Sequence, residues 1–194
     1  MANIQAAFGF RHIGYLSGYG PDYQQQTRLI QSTNATKIFN GDPVIKSGGT
    51  NYIVQAALNT SILEGIFVGC NYVPTGGLLT VQPSPYWVGS AASDATGYLI
   101  NAPGALFLAA ALNTAIVTSN IGNNIGFSIG TGSTTGAGFS GATLDQSTIT
   151  TANAPFQIVD LYRGVGNGSD PTTAYNWVVV TFSNQRFRTL TGVT

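Results

Sequence analysis

The stretch Trp177-Val178-Val179-Val180-Thr181-Phe182 decides the fold class of this chain. Alternate residues of a β-strand face opposite sides, and here both sides carry large apolar residues, so the stretch predicts a strand that is covered on both faces. Gly65-Ile66-Phe67-Val68-Gly69-Cys70-Asn71-Tyr72-Val73 has the same continuous apolar character. Such strands lie at the centre of a barrel or a sandwich. We therefore expect an all-β fold.

Shorter β-branched and aromatic segments surround these two strands and are separated by frequent breaks. The chain has 25 glycines and 8 prolines, which leave little room for long helices. Because Asn-Gly favours tight turns, Asn40-Gly41-Asp42-Pro43 predicts a hairpin between residues 37–39 and 44–46. Further strands are predicted at 52–56, 98–100, 106–111, 125–129, 143–149, 156–163 and 185–188, the last joined to Trp177–Phe182 by a turn at Ser183-Asn184.

The charge of the chain is unusually low and is balanced. Its 194 residues include seven Lys and Arg against seven Asp and Glu, a charged fraction of 7%, where an average soluble domain carries about 25%. Binding to nucleic acid requires a clustered basic face, and these basic residues are scattered, so we expect no nucleic-acid partner. The hydrophobic fraction of 43% is also the reverse of what disordered chains have.

The most apolar window, residues 102–117, does not predict a membrane span. Pro103, Gly104 and Asn113 interrupt it, and a spanning helix needs about 20 largely apolar residues. The first ten residues have neither a basic region nor an apolar region followed by a cleavage site. We therefore expect no membrane partner, no secretory signal and synthesis in the cytoplasm.

The first 34 residues differ from the rest of the chain. Aromatic and polar residues are interleaved there without the alternation of a strand. This pattern predicts an extended N-terminal arm at residues 1–34, with exposed aromatic side chains that need a partner surface. Residues 35–194 are expected to form a single β-barrel or jelly-roll-like domain.

No set of residues in the sequence indicates catalysis or a cofactor. His12 is the single histidine and Cys70 the single cysteine, and no Gly-x-Ser-x-Gly motif is present. The Gly-x-Gly-x-x-Gly pattern at 136–141 is followed by a β-rich segment instead of the helix that a dinucleotide site requires. We therefore expect no enzyme, no cofactor and no metal, although widely separated carboxylates leave a glycosidase open as a third possibility.

Trp87 and its neighbour Tyr86 suggest a different function. They lie in a proline-bounded segment, Gln82-Pro83-Ser84-Pro85-Tyr86-Trp87, which could present aromatic rings outward for stacking on sugars. Trp177 is expected to be core, since it opens an apolar strand. The alternative hypothesis is therefore a carbohydrate-binding β-sandwich, such as a lectin-like or host-attachment module.

The order of several segments resembles a known family. These segments are 9–12 and 19–21 of the aromatic region, Gly41-Asp42-Pro43-Val44, the strand at 65–73, Tyr86-Trp87, Ala102-Pro103-Gly104-Ala105-Leu106-Phe107, Ile121-Gly122-Asn123-Asn124 and Gly138-Phe139-Ser140-Gly141, before the terminal strand pair. The order resembles that of the cement, or decoration, proteins of tailed-bacteriophage heads. The likeness covers nearly the whole chain.

The resemblance implies a structural virion protein on the exterior of a phage head. Such a protein would clamp neighbouring subunits of the major capsid protein and stabilise the shell, without catalytic residues. Its partners would be the major capsid protein and other copies of itself, with a homotrimer favoured and a dimer possible. Because aromatic and Arg side chains often dominate interfaces, the expected arm anchors are Phe8, Phe10, Arg11, Tyr15, Tyr19 and Tyr23.

Overall fold

A computed structural model describes residues 2–22, 25–48, 50–58, 62–76 and 80–188. In this part of the chain there are twelve strands and one short 3₁₀ helix, Thr118–Asn120. The strands are β1 (Arg11–Tyr15), β2 (Gln26–Ile30), β3 (Pro43–Lys46), β4 (Ile53–Gln55), β5 (Gly65–Tyr72), β6 (Gln82–Ser84), β7 (Ala95–Ile100), β8 (Ala105–Ala110), β9 (Asn124–Ser128), β10 (Thr143–Thr150), β11 (Phe156–Leu161) and β12 (Trp177–Phe182). The prediction of an all-β fold is confirmed.

The strands form two antiparallel sheets. Sheet A has the order β1-β8-β12-β11-β9-β10, and sheet B has the order β2-β7-β5-β3-β4, with β6 paired to β5. In each sheet an isolated β-bridge joins two segments that are not neighbours in the strand order. Ala111, directly after β8, bridges Leu144 of β10 in sheet A. Leu29 of β2 bridges Tyr52, directly before β4, in sheet B. The result is an all-β sandwich or barrel-like body.

Two clusters of buried side chains fill this body. The larger one is built mainly from sheet A and contains an aromatic stack in which Phe156 contacts Phe10 at 4.4 Å and Phe182 at 5.8 Å between ring centroids. The smaller one lies within sheet B around Phe67 and Trp87. Strand β12 contributes Val178, Val180 and Phe182 to the larger cluster and lies between β8 and β11, as its apolar faces predict.

The predicted hairpin around Asn40-Gly41 is wrong. Ile38 bridges Trp87 instead, and Asn40 bridges Phe139, whereas β3 pairs with β4 and β5. The turn residues were correctly recognised, since Gly41 has a φ of 95°. The segments before and after the turn do not pair with each other, because each pairs with a different part of the chain and buries its apolar side chains there.

The predicted strand at 185–188 is also wrong. Residues 186–188 form a turn, and Gln185 makes a single bridge, with Leu63. The buried amide of Gln185 donates hydrogen bonds to the backbone carbonyls of Glu64 (3.3 Å) and Asn101 (3.0 Å). This side chain therefore ties the end of the described chain to sheet B in place of a strand pairing.

The described residues among the first 34, which are 2–22 and 25–34, contribute one strand to each sheet, which corrects the prediction of a separate extended arm. β1 pairs with β8 in sheet A, and β2 pairs with β7 in sheet B. In β1 the inward positions are His12 and Gly14, so the strand lacks the apolar alternation by which strands are recognised in sequence. Before β1 the chain runs along the 167–173 loop, where Asn3 donates to the carbonyl of Asp170 at 2.8 Å.

Candidate interaction surface

Two of the predicted arm anchors, Phe8 and Phe10, do not lie on an exposed arm, and a third lies outside the described residues. Phe10 is 2% exposed and belongs to the larger core cluster, so its assignment as an anchor is corrected. Phe8 is half-buried and packs edge-on against Trp177, with ring centroids 5.0 Å apart. Tyr23 lies outside the described residues.

The other three anchors lie in or directly after β1. Arg11 is exposed, and its guanidinium carbon is 6.0 Å from the centre of the Phe139 ring, within the range of a cation–π contact. Tyr19 is 76% exposed. Tyr15 is half-buried, and its hydroxyl donates a hydrogen bond to Asp22 at 2.5 Å. Burial is the larger cause, and this hydrogen bond the second, of the rise in the pKa of Tyr15 to about 12.

Exposed apolar side chains surround these anchors. We call Arg11, Ile13, Leu16, Tyr19 and Phe139 the β1 surface; all five are exposed. Strand alternation turns Arg11 and Ile13 outward, and a tight turn follows, in which the Tyr15 N–H donates to the Tyr19 carbonyl at 3.0 Å. Sequence reasoning missed Ile13, Leu16 and Phe139, because an exposed aliphatic residue has no signature in a single sequence.

A cleft of about 650 Å³ adjoins the β1 surface. It lies between β1 and the strands of sheet B, and Arg11, Ile13, Val68 and Ile100 contribute to its walls. Its lining mixes apolar side chains with polar ones, among them Arg11, Gln25 and Asn40. Such a mixture suits a segment of a partner protein, since protein interfaces combine apolar and polar contacts.

His12 is a buried residue of β1. The ring is buried beside Tyr15 (4.9 Å between ring centroids) and Phe107 (5.8 Å), and Nε2 is 3.0 Å from the carbonyl oxygen of Gly14. Burial lowers the pKa of His12, although the Gly14 carbonyl and the charge of Asp22 oppose this shift.

Asp42 is the most fully buried carboxylate among the described residues, and it joins separate segments. It accepts hydrogen bonds from the Phe39 N–H (2.7 Å), from Nε2 of Gln55 (2.7 Å) and from the Ser140 hydroxyl. Burial raises the pKa of Asp42, against the lowering effect of these donors. These hydrogen bonds tie the turn before β3 to strand β4 and to the segment before β10, so the carboxyl has a structural role.

The aromatic pair proposed for sugar stacking does not present a platform. Trp87 is 0% exposed, lies in the sheet B cluster and donates from Nε1 to the Asn34 carbonyl at 2.8 Å, which corrects the expectation that it faces outward. Tyr86 is half-buried and stacked on Phe39 at 5.5 Å.

The single thiol, Cys70, is likewise buried, and burial raises its pKa to about 12.

Charged groups are concentrated at a second place that the sequence did not indicate. Glu64, directly before β5, is buried and lies 2.6 Å from Arg28 and 3.5 Å from Arg186. Because these residues are far apart in the chain, only the pairing of β2 in sheet B and the turn after β12 bring them together.

The described part of the chain contains no group of three or more His, Cys, Asp and Glu side chains that could hold a metal ion. Within the same residues, no helix is long and apolar enough to cross a membrane.

No family model, no curated protein and no solved structure matches this chain.

Proposed function

We propose that this chain is a structural protein of a tailed-bacteriophage head. In this role it binds the exterior of the shell, clamps neighbouring copies of the major capsid protein and stabilises the assembled particle. The order of sequence segments, which resembles that of phage cement proteins, supports the choice of partner.

The observation that carries the proposal is the β1 surface. Ile13, Leu16, Tyr19 and Phe139 are exposed together with Arg11, and a cleft of mixed polar and apolar lining lies beside them. Interface centres are depleted in Lys, Glu and Asp and enriched in aromatic residues and Arg, and this surface has that composition. A protein partner would remove these side chains from water, which favours binding by about 25 cal/mol for each Å² of apolar area covered.

The experiment measures binding to shells. Heads of the phage that encodes the chain would be prepared without this protein, mixed with the purified chain and sedimented. We expect the chain to sediment with the heads and to raise the temperature at which they lose their DNA. The double variant Leu16→Lys and Tyr19→Lys should bind at least tenfold more weakly, because it places two charges in the contact.

Val165→Lys is the matched control. Val165 is 94% exposed and lies between β11 and β12, so its replacement adds a charge at a residue outside the β1 surface. Circular dichroism would verify that all variants are folded. Equal binding by the double variant and the control would refute the β1 surface as the contact, and failure of the unaltered chain to bind heads would refute the proposed function.

A further inference from the structure

A small charged pocket beside Glu64 is the strongest unassigned site in the described chain. It has a volume of about 170 Å³ and lies between β2, the β3–β4 turn and the residues after β12. Its walls are Arg28, Lys46, Asn51, Tyr52, Ile53, Glu64, Arg186 and Phe187. Three of the seven basic residues of the chain line it, against one of the seven acidic residues.

Glu64 compensates only part of this positive charge. Its side chain is 3% exposed; Oε1 accepts a hydrogen bond from Nε of Arg28 at 2.6 Å, and Oε2 lies 3.5 Å from Nη1 of Arg186 without a hydrogen bond. Among the wall residues, one carboxylate against two guanidinium groups and one ammonium group leaves a formal charge of +2. The carboxylate of Asp94 lies outside the walls, where it accepts a hydrogen bond from the Tyr52 hydroxyl at 2.6 Å. Near the protein surface the effective dielectric constant is lower than in water, so this excess attracts an anionic group at short range.

Lys46 is the group that is open to a ligand. It lies at the end of β3 and is half-buried, and its side chain makes no hydrogen bond or ion pair with the described residues. Arg28 uses Nε for Glu64 and Nη1 for the Thr27 carbonyl, so the fold fixes its position before any ligand arrives. A pre-positioned guanidinium next to an ammonium group suits a carboxylate.

The rim of the pocket is apolar. Phe187 is exposed and lies 5.8 Å from the guanidinium carbon of Arg28, and Leu29 is exposed beside Tyr52, which it bridges. A free inorganic anion would gain nothing from these side chains, whereas a peptide can place a carboxylate in the pocket and an apolar neighbour on the rim.

We propose that this pocket binds an Asp or Glu side chain from an acidic, partly apolar segment of a partner protein. The proposal rests on the charges around Glu64 and does not depend on the proposed function. It adds a second, electrostatic contact on a different part of the molecule from the β1 surface.

The test uses a fluorescein-labelled peptide, Gly-Phe-Glu-Leu-Glu-Gly with blocked ends, and measures fluorescence polarisation with the full-length chain at 50 mM NaCl. The matched probe is Gly-Phe-Gln-Leu-Gln-Gly, which has the same apolar residues and no charge. We expect the acidic peptide to bind at least tenfold more tightly than the neutral one, and to bind several-fold more weakly at 500 mM NaCl.

Lys46→Ala assigns the binding to this pocket. Because the Lys46 side chain makes no hydrogen bond or ion pair with the described residues, the variant should fold normally. It should weaken binding of the acidic peptide about fivefold or more, and Lys46→Arg should restore binding. Lys37→Ala, at an exposed lysine outside the pocket, is the control. Equal affinity for both peptides, or equal affinity of Lys46→Ala and Lys37→Ala for the acidic peptide, would overturn the proposal.

Discussion

Two aromatic residues nine positions apart show how much a single side chain depends on its place in the fold. Phe10 and Tyr19 were both expected to be exposed anchors, yet Phe10 stacks on Phe156 in the core and Tyr19 is almost entirely exposed. Both positions carry an aromatic residue in a segment without strand alternation, so the sequence alone does not distinguish them. Burial is set by whether a neighbouring strand covers the ring, and at Phe10 that cover comes from residues more than 100 positions away.

Asp42 makes the stability of the protein depend on pH. Burial raises its pKa above the ordinary 3.8, so the folded chain retains the proton at pH values where the unfolded chain has lost it. The contribution of Asp42 to the free energy of unfolding therefore falls as pH rises from 3.8 through the raised value. Asp42→Asn cannot ionise, and its amide can donate to Ser140 while its carbonyl oxygen accepts from Phe39.

We expect the stability of Asp42→Asn, relative to the unaltered chain, to increase as pH rises from about 4 towards 7. Urea unfolding of both proteins at several pH values measures this difference in the free energy of unfolding. The other carboxylates are the same in both proteins, so their effects cancel in the difference. Asp42→Ala should follow the same pH trend at a lower stability, because each buried donor left without a partner costs about 1–3 kcal/mol. A difference that is constant or decreasing with pH would contradict the assignment.

At the scale of the elements, the close approach of two chain segments depends on Gly41. Its φ is 95°, its carbonyl accepts from the Phe10 N–H at 3.0 Å, and its N–H donates to the Phe67 carbonyl at 2.7 Å. A Cβ atom at this position would lie 2.9 Å from the backbone nitrogen of Phe10. The segment before β1 and the turn before β3 can therefore cross only where one of them has no side chain.

Gly41→Ala should destabilise the protein much more than Gly18→Ala. Gly18 also has a positive φ, of 85°, but a Cβ there would meet no atom within 4 Å. Its replacement should cost about 1–2 kcal/mol for the left-handed backbone alone, and Gly41→Ala should cost at least twice as much because the backbones must separate. Thermal unfolding of both variants measures the contrast, and similar melting temperatures would contradict the crossing.

The strands that could be predicted from the sequence are those with strong apolar patterns. β5, β7, β8, β11 and β12 were expected within a few residues of their observed bounds, and so were β9 and β10 in the Gly-rich region. β1, β2 and β6 were missed, because their inward positions are His, Gly and other residues without an apolar alternation. The charged pocket could not be predicted, since Arg28, Glu64 and Arg186 meet only through the pairing of distant strands.

At the scale of the whole molecule, the low charge affects how copies of the chain meet. The formal net charge is zero and the charged fraction is 7%, so copies have little long-range repulsion. Several of the few charges are also used internally, as in the contacts of Glu64 with Arg28 and Arg186. What remains for contacts between molecules is largely uncharged surface with exposed apolar side chains.

We therefore expect the free chain to self-associate at micromolar concentration, with a homotrimer favoured over a dimer. Closed symmetric contacts cover such surfaces without forming open chains of molecules. Because hydrophobic contacts are not screened by salt, sedimentation equilibrium should give the same oligomer mass at 50 and 500 mM NaCl, whereas binding of the acidic peptide should weaken over this range. A monomer mass at both salt concentrations would contradict self-association, and dissociation by salt alone would show that charge pairs hold the copies together.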